Sequence, residues 1–165
     1  MRVTNILKAC GLIDTAFMDE AAMKRGEYVH LACELDDKGD LDESTLDPLV
    51  DPYLAARRLF RKEQNPDILT IEEEVKHSHY GYEGRLDRRA MMDARECVLD
   101  IKTGQPAEWH SLQLAGYALC FDRPHARFGI YLSNDGRYKM TEYKDRKDYE
   151  VWKACVTLAN WKTPF

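Results

Sequence analysis

The sequence predicts an α/β domain with a mixed central β-sheet flanked by helices. Three observations carry that prediction. Apolar residues recur at helical spacing up to about residue 65, the period falls to two from Ile68, and helical spacing returns over 106–121 and again near the end. The resulting order is helices, three strands, a helix, two strands and a closing helix, which implies a mixed sheet with helices packed against it. The 165 residues are read as one domain: an N-terminal helical segment over about 1–65, a sheet core over about 68–145 and a C-terminal helix over about 146–162.

Taken in order, TNILKACGLID reads as a short helix capped by Thr4 and closing near Gly11. DEAAMKRGEYVHLACEL has helical spacing through Ala22, Val29 and Cys33, and DDKGDLDEST reads as an acidic loop. A helix beginning near Pro52 carries Tyr53, Ala56 and Phe60 on one stripe. ILTIEEEVKHSHY, YEGRLDRRAMM and ECVLDIKTG are three successive strands, followed by a helix with Pro106 at its start. Asn134-Asp135-Gly136 centres a hairpin between ARFGIYLS and RYKMTEY, and the last helix turns Tyr149, Trp152, Val156 and Ala159 inward.

Composition narrows the class. With 44% apolar and 32% charged residues, the chain suits a globular domain that buries roughly 70% of its unfolded surface without staples. Five scattered cysteines with no CxxC pair read as reduced thiols, and no apolar run approaches a membrane span, so a cytoplasmic protein is expected. No basic-then-apolar leader opens the sequence. The formal net charge of -5 disfavours a protein that coats nucleic acid, although a site with local cations and bound metal still suits it. The clusters RRLFRK, GRLDRR and KDRK are expected as solvated faces.

The chemistry-bearing stretch is VLDIKTG. Asp100 and Lys102 share one strand face, while Cys97, Leu99 and Ile101 share the other. With the preceding turn centred between Asp93 and Ala94, antiparallel pairing sets Asp87 opposite Asp100 and Arg85 opposite Lys102. Leu86, Ala90, Cys97, Leu99 and Ile101 then form the inward apolar face. Directly opposed carboxylates repel, and need a shared proton or a cation. A hard divalent ion such as Mg²⁺ would reconcile them, with Lys102 placed to orient or activate water and to steady phosphorane charge. An exposed network pairing both acids with Arg85, Arg88, Arg89 and Lys102 is the competing reading.

GRLD at 84–87, VLDIKTG at 98–104 and QLAGY at 113–117 resemble the motif series of the PD-(D/E)XK nucleases, most closely the RecB-type exonuclease branch. RGEYVH at 25–30 is similar to that branch's helical histidine preceded by glycine, and the first segment resembles compact phage and prophage exonuclease-like proteins. The resemblance implies a restriction-endonuclease-like core and metal-dependent DNA hydrolysis using one or two Mg²⁺ or Mn²⁺ ions. It implies that Asp87 and Asp100 bind metal, that the Ile101 carbonyl completes an inner position, that Lys102 is catalytic, and that His30 binds or flanks a second metal. Spacing alone equally allows His30 a surface pair with Glu34.

The same resemblance turns Gln113 and Tyr117 toward the site and the DNA backbone, with His110 on their stripe and Arg85 nearby as further substrate contacts. It also calls for a glutamate on the first strand. Alternation cannot choose among Glu72, Glu73 and Glu74, and the family-like spacing of Glu72 and Val75 favours Glu72. Trp109 reads as a packing anchor. An iron–sulfur cluster is not expected, since only Cys120 and Cys155 follow the motifs. DNA is the implied partner, with RNA left open, together with a homo-oligomer or a recombination protein. A non-catalytic DNA-end-binding or protein-interaction module and a structure-specific endonuclease are the alternatives.

Overall fold

The structure, a computed structural model, describes residues 1–13 and 19–162; Asp14, the end of the first predicted segment, lies outside them. Its elements are α1 (Val3–Ala9), α2 (Glu20–Lys38), a 3₁₀ turn (Glu43–Thr45), α3 (Asp51–Gln64), β1 (Asp67–His77), β2 (Tyr82–Met92), β3 (Arg95–Lys102), α4 (Glu108–Ala118), β4 (Ala126–Leu132), β5 (Tyr138–Glu142) and α5 (Lys147–Lys162). The strands lie side by side in chain order. All pairs are antiparallel except β3 with β4, which α4 connects as a crossover.

Each element follows from its residues. α2 runs into the stretch predicted as an acidic loop, because Lys38 pairs with Glu34 one turn back at 2.6 Å. α4 starts at Glu108 rather than at Pro106; its first turn is fastened by His110, whose Nδ1 accepts the Ala107 N–H at 3.1 Å. Asp93 and Ala94 turn β2 into β3 with φ of 48° and 59°, the left-handed pair a tight two-residue hairpin demands. That fixes the register: Arg88 faces Leu99 and Ala90 faces Cys97, as the turn centre predicts.

Helices cover both sheet faces and make two cores. α1, α4 and α5 pack on one face around Leu114, Tyr117, Trp152 and Val98. α2 and α3 pack on the other around Phe60, Leu99, Ile101 and Ile130. Leu86 corrects the predicted apolar face. It lies in the first core, whereas Ala90, Cys97, Leu99 and Ile101 lie in the second. Strict alternation would put Leu86 with Ala90, so β2 changes face near Asp87, and Leu86, Asp87 and Arg88 are buried in succession. Opposite the break, Glu72 of β1 has φ 53°. The arginine clusters also depart from solvated faces, since Arg57 and Arg88 are fully buried.

Candidate active site

The site lies where β2 parts from β3. Their ladder ends at Arg88–Leu99, and the next pair in register is Asp87 with Asp100. There Asp87 Oδ2 accepts the Ile101 N–H at 2.6 Å, so a side chain takes the place of a strand partner. In an extended strand a residue's carbonyl points to the same side as its N–H, which aims the Ile101 carbonyl at this opening. On the other side of β2, the register flanking Glu72 and Asp87 sets those two opposite each other as well. Three carboxylates therefore line up across three neighbouring strands.

Asp87 and Asp100 are both buried, and Lys102 Nζ lies 2.7 Å from Asp100 Oδ2. Burial pushes the Asp100 carboxyl up to about 6; Lys102 opposes the shift and Asp87 adds to it. Burial also raises Glu72, and the charge on Asp87 raises it further. For Lys102, burial favours the neutral amine, but Asp100 and Asp87 outweigh it and hold the ammonium form above its ordinary range. The lysine also sits 5.6 Å from the centre of the Trp109 ring, which gives that packing residue a part in orienting the cation.

His30 on α2 completes the group, with Nδ1 3.6 Å from Asp87 Oδ2. Ligand atoms of His30, Glu72 and Asp87 lie within 4.8 Å of one another, a spacing that one small ion can span. Asp100 is not in that trio; it faces Lys102. The nitrogen and oxygen donors, together with the Ile101 carbonyl, suit a hard or borderline divalent ion.

Other residues separate into those that reach the site and those that do not. Glu72 is the glutamate brought in, whereas Glu73 pairs with Arg89 at 3.0 Å and Glu74 is exposed. Arg85 is not beside Lys102, because the ladder opens first; its Nε binds Glu72 Oε2 at 2.9 Å on the β1 side. Gln113 Nε2 donates to the Tyr117 hydroxyl at 3.1 Å, and the nearby acid charges raise the Tyr117 pKa after burial has done so. The alternative that spacing allowed, a surface pair of His30 with Glu34, is not formed among the described residues; Glu34 pairs with Lys38.

His110 is buried rather than displayed to a substrate: its Nδ1 takes the Ala107 N–H and lies 2.9 Å from the Tyr131 hydroxyl. Burial lowers its pKa to about 4, with the charge of Lys102 in the same direction. The glycine of GRLD has a packing reason. A Cβ at Gly84 would stand 2.6 Å from the Tyr117 ring, so the absence of one lets α4 bring Tyr117 and Gln113 down beside the acids.

The fold is similar to those of several solved structures. An alkaline exonuclease from Laribacter hongkongensis, LHK-Exo, is similar with a TM-score of 0.57 at 14% identity, over 98% of this chain and 86% of that one. The same enzyme in complex with dAMP gives a TM-score of 0.60 at 14% identity. A candidate exonuclease from Eubacterium rectale gives 0.61 at 10% identity, over 99% and 82% of the two chains. The chain shares the fold of these structures, a mixed five-stranded sheet flanked by helices. No family model matches the chain, and no curated protein matches it in sequence.

One centre had no counterpart in the sequence reading. Asp37, at the end of α2, lies between Arg88 Nε at 2.7 Å, Arg57 Nη2 at 3.0 Å and Arg61 Nη1 at 3.1 Å. Arg57 falls on the stripe of Tyr53 and Phe60, one turn from each, and that position was the available signal. Arg88 joins this centre to the site through a 3.0 Å bond from Nη1 to Glu72 Oε1.

Proposed function

We propose that the protein is a divalent-metal-dependent deoxyribonuclease, an exonuclease acting in phage or prophage DNA recombination or processing inside the bacterial cytoplasm. The observation that carries this reading is the row of Glu72, Asp87 and Asp100 across three strands, with His30 beside Asp87 and Lys102 beside Asp100. Buried acids so placed strain the metal-free protein, and a cation relieves them. Mg²⁺ or Mn²⁺ would be held by His30, Glu72 and Asp87, with Asp100 and the Ile101 carbonyl beside them. Bound there, the ion would supply Lewis-acid polarisation of the phosphate and activation of water.

The chain's own groups do the rest. Lys102, fixed between Asp100 and the Trp109 ring, presents an ammonium N–H to a non-bridging phosphate oxygen and balances the charge that grows there. Asp100 orients that ammonium. Gln113 holds the Tyr117 hydroxyl, and its own Oε1 is buried without a hydrogen-bond partner among the described residues, leaving an acceptor at the site's wall. No helix among the described residues is long and apolar enough to cross a membrane. DNA is the proposed substrate.

The test uses purified protein with labelled linear and closed circular DNA, with and without Mn²⁺. Metal-dependent loss of linear DNA that vanishes in Asp100→Ala is expected. Undiminished degradation by that variant refutes the assignment. Cleavage of circular DNA would shift it to a structure-specific endonuclease, and calorimetric Mn²⁺ uptake without hydrolysis would shift it to a binding module.

A further inference from the structure

Beyond Lys102 the chain opens into a second concavity. A cleft of about 500 Å³ lies between the segment that follows β3, the β4–β5 hairpin and the start of α3. That is within the range of roughly 300–1,000 Å³ typical of small-ligand sites. Thr103 and Gly104, next in sequence to Lys102, form one wall, and Tyr131, the β4 partner of Lys102, reaches it from the neighbouring strand. The cleft thus sits at the carboxyl ends of the parallel pair β3 and β4, where α/β sheets place ligands.

Its lining has three tiers. Tyr53, Tyr131 and Tyr138 supply aromatic surface, with Tyr53 and Tyr131 largely buried and Tyr138 half-exposed. Gln105 brings amide donors and acceptors to the rim. Arg137 and Lys139 stand exposed on the outer lip. Arg137 is engaged with Asp135 at 2.5 Å, while Lys139 has no ion pair among the described residues. The aromatic ring of Tyr138 is braced edge-on against Phe60 at 5.4 Å, and its hydroxyl is tied to Glu63 and Gln64 at 2.7 and 3.0 Å. With Asp135 also on the lip and paired to Arg137, the net positive charge there comes from Lys139, although the chain as a whole is acidic.

We infer that this cleft is a nucleotide subsite that seats the base next to the scissile phosphate, with Lys139 on the flanking phosphate. Aromatic surface under a rim of amides, with a lysine on the lip, matches a base and its phosphate in one unit of a single strand. A simple anion would not need the tyrosines, and an apolar ligand would not need the lysine. The inference rests on the nuclease reading for its place in a reaction, and commits that reading to an unpaired strand at the site.

Lys139→Glu is the test variant, since its side chain is exposed and makes no ion pair among the described residues. For a single-stranded oligonucleotide, KM is expected to rise about tenfold as a phosphate contact becomes a repulsion, with kcat held within about twofold. Hydrolysis of bis(4-nitrophenyl) phosphate, which carries no nucleoside, is expected to stay unchanged. In parallel, anisotropy of a fluorescein-labelled pentanucleotide without metal should show about tenfold weaker binding. An unaltered oligonucleotide KM and Kd would overturn the subsite, as would an equal loss on the small diester. If neither substrate is cleaved by the unaltered protein but binding still responds to Lys139→Glu, the catalytic reading fails and the subsite stands.

Discussion

Asp37 and Asp100 are the same residue type, both nearly inaccessible, and Arg88 and Glu72 link their surroundings, yet their environments are opposites. Asp37 is met by three guanidinium groups, so its charge is matched inside the fold. Asp100 has one ammonium, and beside it are Asp87 and then Glu72. Burying a charge costs several kcal/mol unless it is paired and hydrogen-bonded. Of the three site acids, only Glu72 is held by arginines, Arg85 and Arg88. A fold that surrounds one acid with three guanidinium groups, yet sets Asp100 with its single ammonium beside Asp87, has kept the second place for something not encoded in the chain. Compensation separates a structural acid from a functional one, and burial alone does not.

The sharpest way to break the comparison is to remove each acid. Asp37→Ala strands Arg57 as a buried, unmatched cation and leaves Arg88 with Glu72 alone, and the expected loss is about 3–5 kcal/mol in urea unfolding. Added Mn²⁺ should not recover it. An Asp37→Ala protein as stable as the parent would mean that the arginines find other partners, and that the proposed division between the two centres is wrong.

The next effect is smaller and depends on pH. Asp100 binds its proton more tightly in the fold than in the unfolded chain, with its pKa moved from 3.8 to about 6. Its contribution to stability is therefore present below the unfolded value and is lost as pH rises through about 6, leaving the metal-free protein penalised at pH 7–8. A bound cation removes that penalty and competes with the proton. At a free Mn²⁺ concentration a hundred times Kd, a stabilisation of about 2.7 kcal/mol is expected by thermal unfolding at pH 7.5. It should shrink as the pH is taken from 7 to 5. Asp87→Asn should abolish the increment, and a pH-independent increment would place the ion elsewhere.

The contrast also explains what could be read from the sequence. The β2–β3 register was legible because one turn centre fixes every pair beyond it, and Asp87 and Asp100 were found that way. What spacing could not reveal is that the ladder stops one pair short, because the Asp87 carboxylate captures the Ile101 N–H. That event also separates Arg85 from Lys102. Glu72 stayed ambiguous for a related reason: period two assumes an unbroken strand, and this strand is broken at Glu72 itself. Leu86 was assigned to the wrong core by the same assumption. The Asp37 centre was missed because arginine-rich helical sequence reads as a solvated face, and only the placement of Arg57 on an apolar stripe argued otherwise.

The left-handed backbone offers the mildest probe. Ala94 has φ 59° in the β2–β3 turn, and Glu72 has φ 53° within a strand, and each costs an L-residue about 1–2 kcal/mol. In the turn the strain serves chain reversal, which glycine does equally well, so Ala94→Gly should gain about 1 kcal/mol with activity unchanged. At Glu72 the same relief removes a carboxylate. Glu72→Gly should gain no more than that in the metal-free state, and should lose the Mn²⁺-dependent rise in melting temperature. Equal metal responses in the two variants would make the Glu72 kink a feature of strand geometry alone, and would leave His30 and Asp87 without their third ligand.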